Sequence, residues 1–200
     1  MSKPKERPFA ATPPGAAPSA TPFIALLRGI NVGGNKKIPM AELREIAGLL
    51  GWDHVQSYIQ SGNLVFSASV IPSVVELALE RTIQERFGFA VDVVVRTSGA
   101  WQAYAAGSPF GKAEEERPHL LHLGLSKRPP KPDAVETLRR YAAAGERVEV
   151  FDDAIWIDFA GGVARSRLTP AVLDRAVGST VTARNWRTVQ KLGEMARAIA

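Results

Sequence analysis

Apolar residues recur along the chain with a period that switches between about two and about 3.6, and the switches mark the elements. Phe23 to Leu27 is an unbroken apolar run, the pattern of a strand covered on both faces. Met40, Leu43, Ile46, Ala47 and Leu50 fall on one side of a helix that stops at Gly51, a suitable C-terminal cap. Val55 to Gln60 and Asn63 to Ser67 read as two strands around Ser61-Gly62. Ser73 to Phe87 has helical spacing, and Val91 to Arg96 is a β-branched run of strand type. The order is β-α-β-β-α-β, the split βαβ arrangement of ferredoxin-like folds.

A helix over Gly99 to Ala106 follows, and then the order begins again. His119 to Leu125 reads as a strand, Asp133 to Ala144 as a helix, and Arg147 to Phe151 with Ala154 to Phe159 as a hairpin turning at Asp152-Asp153. Thr169-Pro170 opens a helix to Val177, as cap and first helical residue. Thr180 to Arg184 is a short strand, and Asn185 to Ala200 closes the chain as a helix. The expectation is an α+β fold in which two ferredoxin-like βαββαβ repeats (about 23–97 and 117–184) pack or intertwine into one compact domain, 23–200, with a terminal helix. Asp158 alternates with Ile155 and Ile157 and is expected to face solvent, and Glu114 to Glu116 reads as a solvated loop. Residues 1–22 carry Pro4, Pro8, Pro13, Pro14, Pro18 and Pro22 without apolar periodicity, the composition of a disordered tail.

Composition narrows the class. Of 200 residues, 46% are hydrophobic, enough for a well-filled core. No segment approaches the ~20 apolar residues of a membrane span, and the first residues lack the apolar core of a secretory signal. Zero Cys removes disulfides, thiolate nucleophiles and Cys-ligated metal centres, so a cytoplasmic protein is expected. The net charge of +5 is uneven. Residues 21–159 hold fifteen basic and seventeen acidic side chains, whereas residues 160–200 hold seven and two, which points to a local anionic partner.

Three stretches carry candidate chemistry. After the first strand, Arg28, Asn31, Gly33, Gly34, Lys36 and Lys37 form a glycine-rich basic loop before a helix, a geometry suited to an anion or, more plainly, to a tight polar connection. It contains neither GxGxxG nor GxxxxGK[ST], so dinucleotide and Walker-type phosphate binding are unsupported. Gln60, Ser61 and Asn63 are polar groups of a turn; they fix that turn or, if it lies beside the glycine loop, hydrogen-bond a polar ligand. Arg165, Ser166 and Arg167 precede one helix start, and Arg184, Asn185, Trp186 and Arg187 straddle another, where backbone N–H groups and the helix dipole favour anions. Trp186 could stack on a base, or pack between helix and sheet with Asn185 as N-cap. The four arginines Arg165, Arg167, Arg184 and Arg187 are expected to converge near the glycine loop. His119 and His122 lie three apart on a strand and face opposite sides, so no metal site is expected. No Ser-His-Asp arrangement is legible, and no cofactor is expected.

LLRGINVGGNKKIPMAELR, YIQSGNLVF, FGFAVDVVVR, SPF, SRLT and TARNWRTVQKL, in that order over about Phe23 to Ala198, resemble the motifs of the bacterial family catalogued as domain of unknown function 1697. The resemblance implies two ferredoxin-like repeats in a bacterial cytoplasmic protein, and no reaction. Arg167 stands where the family's SKLT-like motif has lysine, and Ser108 where asparagine precedes Pro-Phe. The leading functional reading is a binding module for an anionic ligand, nucleic acid or phosphorylated metabolite. An enzyme on a small anionic substrate and a protein-interaction scaffold are the alternatives.

Overall fold

The computed structural model describes residues 20–200. Strands β1 (Thr21–Leu27), β2 (Asp53–Tyr58), β3 (Asn63–Ala68) and β4 (Val93–Thr97) form an antiparallel sheet in the order β2-β3-β1-β4. In the second half, β5 (Leu121–Ser126), β6 (Arg147–Phe151), β7 (Ala154–Asp158) and β8 (Val181–Asn185) repeat the pattern as β6-β7-β5-β8. The protein is therefore α+β with two four-stranded antiparallel sheets. Among the described residues there are seven α-helices: α1 (Met40–Leu49), α2 (Pro72–Phe87), α3 (Ser98–Ala105), α4 (Gly111–Glu116), α5 (Ala134–Arg139), α6 (Pro170–Val177) and α7 (Trp186–Ala198).

The apolar run of β1 is two-faced. Phe23, Ala25 and Leu27 pack with Leu43 and Ile46 of α1 and Val75, Leu79 and Ile83 of α2, while Ile24 and Leu26 enter a central core. That core joins both sheets through Leu121, Leu123, Leu125 and Trp156, and is filled by Trp101 and Tyr104 of α3 and Trp186, Val189 and Leu192 of α7. Ile155 and Ile157 face a third cluster, with Leu138 of α5 and Leu173 and Val177 of α6. Burial on both faces explains why β1 and β7 read as near-continuous apolar runs.

Strand register aligns the halves residue by residue. Phe23 pairs with Thr97 and Leu27 with Val93; His122 pairs with Asn185 and Ser126 with Val181. Thr97 and Asn185 are both N-caps, accepting from Ala100 and Thr188 to start α3 and α7. The polar contacts between halves follow the same correspondence. Arg28, just after β1, donates from Nη1 to both carboxylate oxygens of Asp174 of α6 (2.9 and 2.8 Å), and Asp174 also accepts the Val181 N–H (2.8 Å). Lys127, just after β5, binds Glu80 of α2 (2.6 Å), and Glu80 accepts the Val93 N–H (2.8 Å). These carboxylates occupy N–H groups of β4 and β8, which are sheet edges that would otherwise be open to further pairing.

Several boundaries differ from expectation. Thr21 and Pro22 belong to β1, not to a tail, and residues 1–19 of the expected tail lie outside the described residues. Glu114 to Glu116, read as a solvated loop, lie in helix α4, whose Ala113 enters the central core. The helix expected to Ala144 ends at Arg139. Asp158 is fully buried on the Trp156 side of β7, not solvated. It accepts from Arg117 (2.9 and 2.7 Å) and Arg147 (3.1 and 2.8 Å). Arg147 also lies over the Phe110 ring, 4.6 Å from its centre. Burial raises the Asp158 pKa, but the two guanidinium groups outweigh it and hold the carboxyl below its ordinary range.

Candidate functional site

The glycine loop is held by its own backbone. Gly29, Asn31, Gly33, Gly34 and Lys36 all have positive φ. At Gly33-Gly34 two consecutive left-handed residues (φ 60 and 81) turn the chain so that Val32 bridges Asn35. Asn31 closes the loop: its Nδ2 donates to Ile38 O and Gln60 O, both at 2.9 Å, while its Oδ1 accepts the Ile38 N–H. Lys36 donates to Ala90 O (2.7 Å). The glycine loop and the turn after β2 are thus directly bonded, the juxtaposition that the ligand reading of Gln60 required.

Between them lies a cleft of about 350 Å³ lined by Asn31, Gly34, Lys37, Ile38, Pro39 and Gln60. Lys37 is exposed and, among the described residues, has no carboxylate partner. No protein acceptor among these residues engages the backbone N–H groups of Gly33, Gly34 or Lys37. Backbone N–H groups without a protein acceptor, on a loop that also carries an ammonium, favour an anion.

A second cleft, about 300 Å³, lies along the other end of the loop. It is lined by Arg28, Gly29, Val32, Pro170, Leu173, Val181, Thr182, Ala183 and Arg184. Arg184 is 9% exposed and meets no carboxylate. Its Nε donates to Asn63 Oδ1 (2.5 Å), Nη1 to Thr182 Oγ1 and Ala183 O, and Nη2 to the carbonyls of Leu27, Ser61 and Gly62 (2.9, 2.9 and 3.2 Å). Every guanidinium hydrogen has an acceptor, and burial pulls the pKa down to about 10. Asn63, fully buried, holds the turn from inside by donating to Tyr58 O and Ser61 Oγ.

The structure brings Arg28 and Arg184 to one cleft, and Asn31, Gly34, Lys37 and Gln60 to the other. It does not bring in Arg165, Arg167 or Arg187, which are exposed and, among the described residues, bonded neither to the glycine loop nor to a carboxylate. The Ser166 hydroxyl accepts the Leu168 N–H (3.1 Å). Trp186 is buried against Trp156, ring centres 5.7 Å apart, and presents no free face to solvent. Among the described residues no cluster of three His, Asp or Glu could hold a metal ion. Asp153, read only as a turn residue, accepts from Arg96 (3.1 and 2.8 Å) and from the Tyr104 hydroxyl, which burial and this carboxylate push up to about 12.

Two antiparallel sheets of matching order, joined by a shared core and by reciprocal arginine and carboxylate contacts, define an α+β protein made of two like halves. The chain belongs to the family described as protein of unknown function (DUF1697), whose model matches residues 20–156. Its fold is also that of the conserved bacterial protein SP0830 from Streptococcus pneumoniae. That match has 24% identity and a TM-score of 0.70, and covers 89% of this chain and 99% of that one. A comparison with curated proteins found no match. Among the described residues no helix is long and apolar enough to cross a membrane.

Proposed function

We propose that the chain is a binding protein for a small phosphorylated ligand, built as a single domain from two ferredoxin-like repeats. The β2-β3-β1-β4 order and its repetition support the repeat reading. The functional reading rests on one observation: Asn31, Gly34, Lys37 and Gln60, from two separate stretches of sequence, line one cleft whose single charge, Lys37, has no carboxylate partner among the described residues. Lys37 is also the only ionisable group of that lining, which suits holding an anion and supplies no acid–base pair for turnover.

Thermal unfolding with added pyrophosphate and sugar phosphates tests this. Stabilisation that is lost in Lys37→Ala supports the site, and no stabilisation by any phosphorylated compound would end the reading. Anisotropy with short single-stranded DNA and RNA separates nucleic acid, whose binding would weaken steeply with salt and depend on Arg165, Arg167 and Arg187.

A protein-interaction surface is favoured by a different feature. Ile71, Val74 and Leu77, 63%, 47% and 66% exposed, form an apolar stripe at the start of α2. Self-association that Leu77→Glu abolishes would support it; a monomer at high concentration with no partner would not.

A further inference from the structure

The two halves differ at one matched place. In the first half the edge of β4 is closed by two carboxylates one helical turn apart on α2: Glu80 accepts the Val93 N–H (2.8 Å), and Glu76, buried, accepts the Val95 N–H (2.9 Å). In the second half Asp174 of α6 takes the part of Glu80, accepting the Val181 N–H (2.8 Å). One turn earlier, at the counterpart of Glu76, stands Pro170, which carries no side-chain acceptor. Ala183 is the counterpart of Val95: Val95 pairs with Ala25 of β1, and Ala183 with Gly124 of β5. By the alternation of an antiparallel ladder its N–H faces the same way as that of Val181, outward from β8, and it meets no acceptor among the described residues.

The place without that carboxylate is the second cleft, of about 300 Å³. Pro170 and Ala183 both line it, with Arg28 beside them and Val32, Leu173 and Val181 as its apolar wall. Arg28 uses only Nη1 on Asp174, so its Nε and Nη2 hydrogens meet no acceptor among the described residues. A sheet-edge N–H, a guanidinium with unused donors and an apolar wall match the head and the body of a small carboxylic acid. We propose that this cleft, separate from the one at Lys37, binds a small monocarboxylate with an apolar body. The ligand's carboxylate accepts from the Ala183 N–H and from Arg28, completing the β8 edge as Glu76 completes that of β4, and its carbon chain lies against Val32 and Leu173.

Amide-proton NMR titration of the full chain with isovalerate, its neutral isostere isovaleramide and acetate tests it, using wild type, Pro170→Glu, Val32→Asp and Lys37→Ala. The proposal expects isovalerate to move the Ala183 amide proton downfield and saturably, and to bind about tenfold more tightly than isovaleramide, which lacks the charge, or acetate, which lacks the apolar body. Pro170→Glu restores the carboxylate that the first half carries, at a first-turn position where an acidic residue suits the helix, so its Ala183 proton lies downfield without ligand and isovalerate binds about tenfold or more weakly. Val32→Asp, at an exposed position, sets a like charge against the ligand and weakens it about tenfold, whereas Lys37→Ala keeps the affinity within about twofold. No shift at Ala183 with any of the three compounds, or equal affinity for isovalerate and isovaleramide, overturns the proposal. So does an affinity for isovalerate that neither Pro170→Glu nor Val32→Asp lowers. Shifts at Gly34 and Gln60 that Lys37→Ala abolishes would put the acid in the other cleft, which overturns this inference and leaves the reading of that cleft standing.

Discussion

Arg96 and Arg184 are counterparts: each is the fourth residue of the last strand of its half, and each crosses to the other half to donate to the carbonyl that ends that half's first strand. Arg96 Nη2 reaches Ser126 O at 2.8 Å, and Arg184 Nη2 reaches Leu27 O at 2.9 Å. They differ in their second partner. Arg96 meets the Asp153 carboxylate, whereas Arg184 meets only neutral oxygens. The first is an ion pair and the second a buried cation solvated by backbone.

Arg184→Ala therefore strands buried acceptors at Asn63, Leu27, Ser61 and Gly62, and the expected loss is roughly 3 kcal/mol, or a melting-temperature drop of about 6–12 °C. Arg184→Lys recovers little, because one ammonium cannot replace five donors in a planar fork. Urea unfolding of both variants checks this. A loss within about 0.5 kcal/mol would mean that the clasp does not hold the halves together.

Gly62 and Gly33 should separate two kinds of glycine. A Cβ at Gly62 (φ 76) would lie 2.7 Å from Ile30 Cδ1 and 2.8 Å from Leu27 Cβ, whereas one at Gly33 (φ 60) meets nothing within 4 Å. Gly33→Ala is expected to cost only the left-handed strain, about 1 kcal/mol, and Gly62→Ala roughly 3 kcal/mol or more, because strand-end atoms must shift. Equal melting temperatures for the two variants would contradict the packing of the turn.

Asp158 sets an acid limb of stability. Its folded pKa lies below the ordinary 3.8, so its contribution is complete above about pH 4 and disappears as pH falls through the folded value. Asp158→Asn should lose roughly 2 kcal/mol at neutral pH, discounted because Arg147 is half exposed, and should show a flatter decline between about pH 4 and pH 2 than wild type. Urea midpoints across that range measure it. Parallel curves for the two proteins would exclude Asp158 as the source.

The apolar pattern made most of the fold legible, since β1, α1, β3, α2 and α7 carry runs or stripes whose period fixes their type. Gly111–Glu116 escaped because a six-residue helix with one buried residue, Ala113, has too short a period to see. Asp158 escaped because alternation identifies which residues share a face, not whether the opposite face meets water, and β7 is covered on both sides. At the candidate site, the glycine loop and the Gln60 turn were legible as motifs, but their contact spans 29 residues and depends on β1 pairing with β3. The net charge of residues 160–200 suggested a single basic site. The structure divides those arginines between a buried clasp, Arg184, and exposed positions, because charge counts contain no direction.

The measurement that tests the central claim most directly is amide chemical-shift mapping with pyrophosphate at moderate salt. The account predicts saturable shifts at Gly33, Gly34, Lys37 and Gln60, abolished in Lys37→Ala, with the melting temperature of that unliganded variant within about 2 °C of wild type. Shifts confined to Arg165, Arg167 and Arg187, or none that saturate, would contradict it.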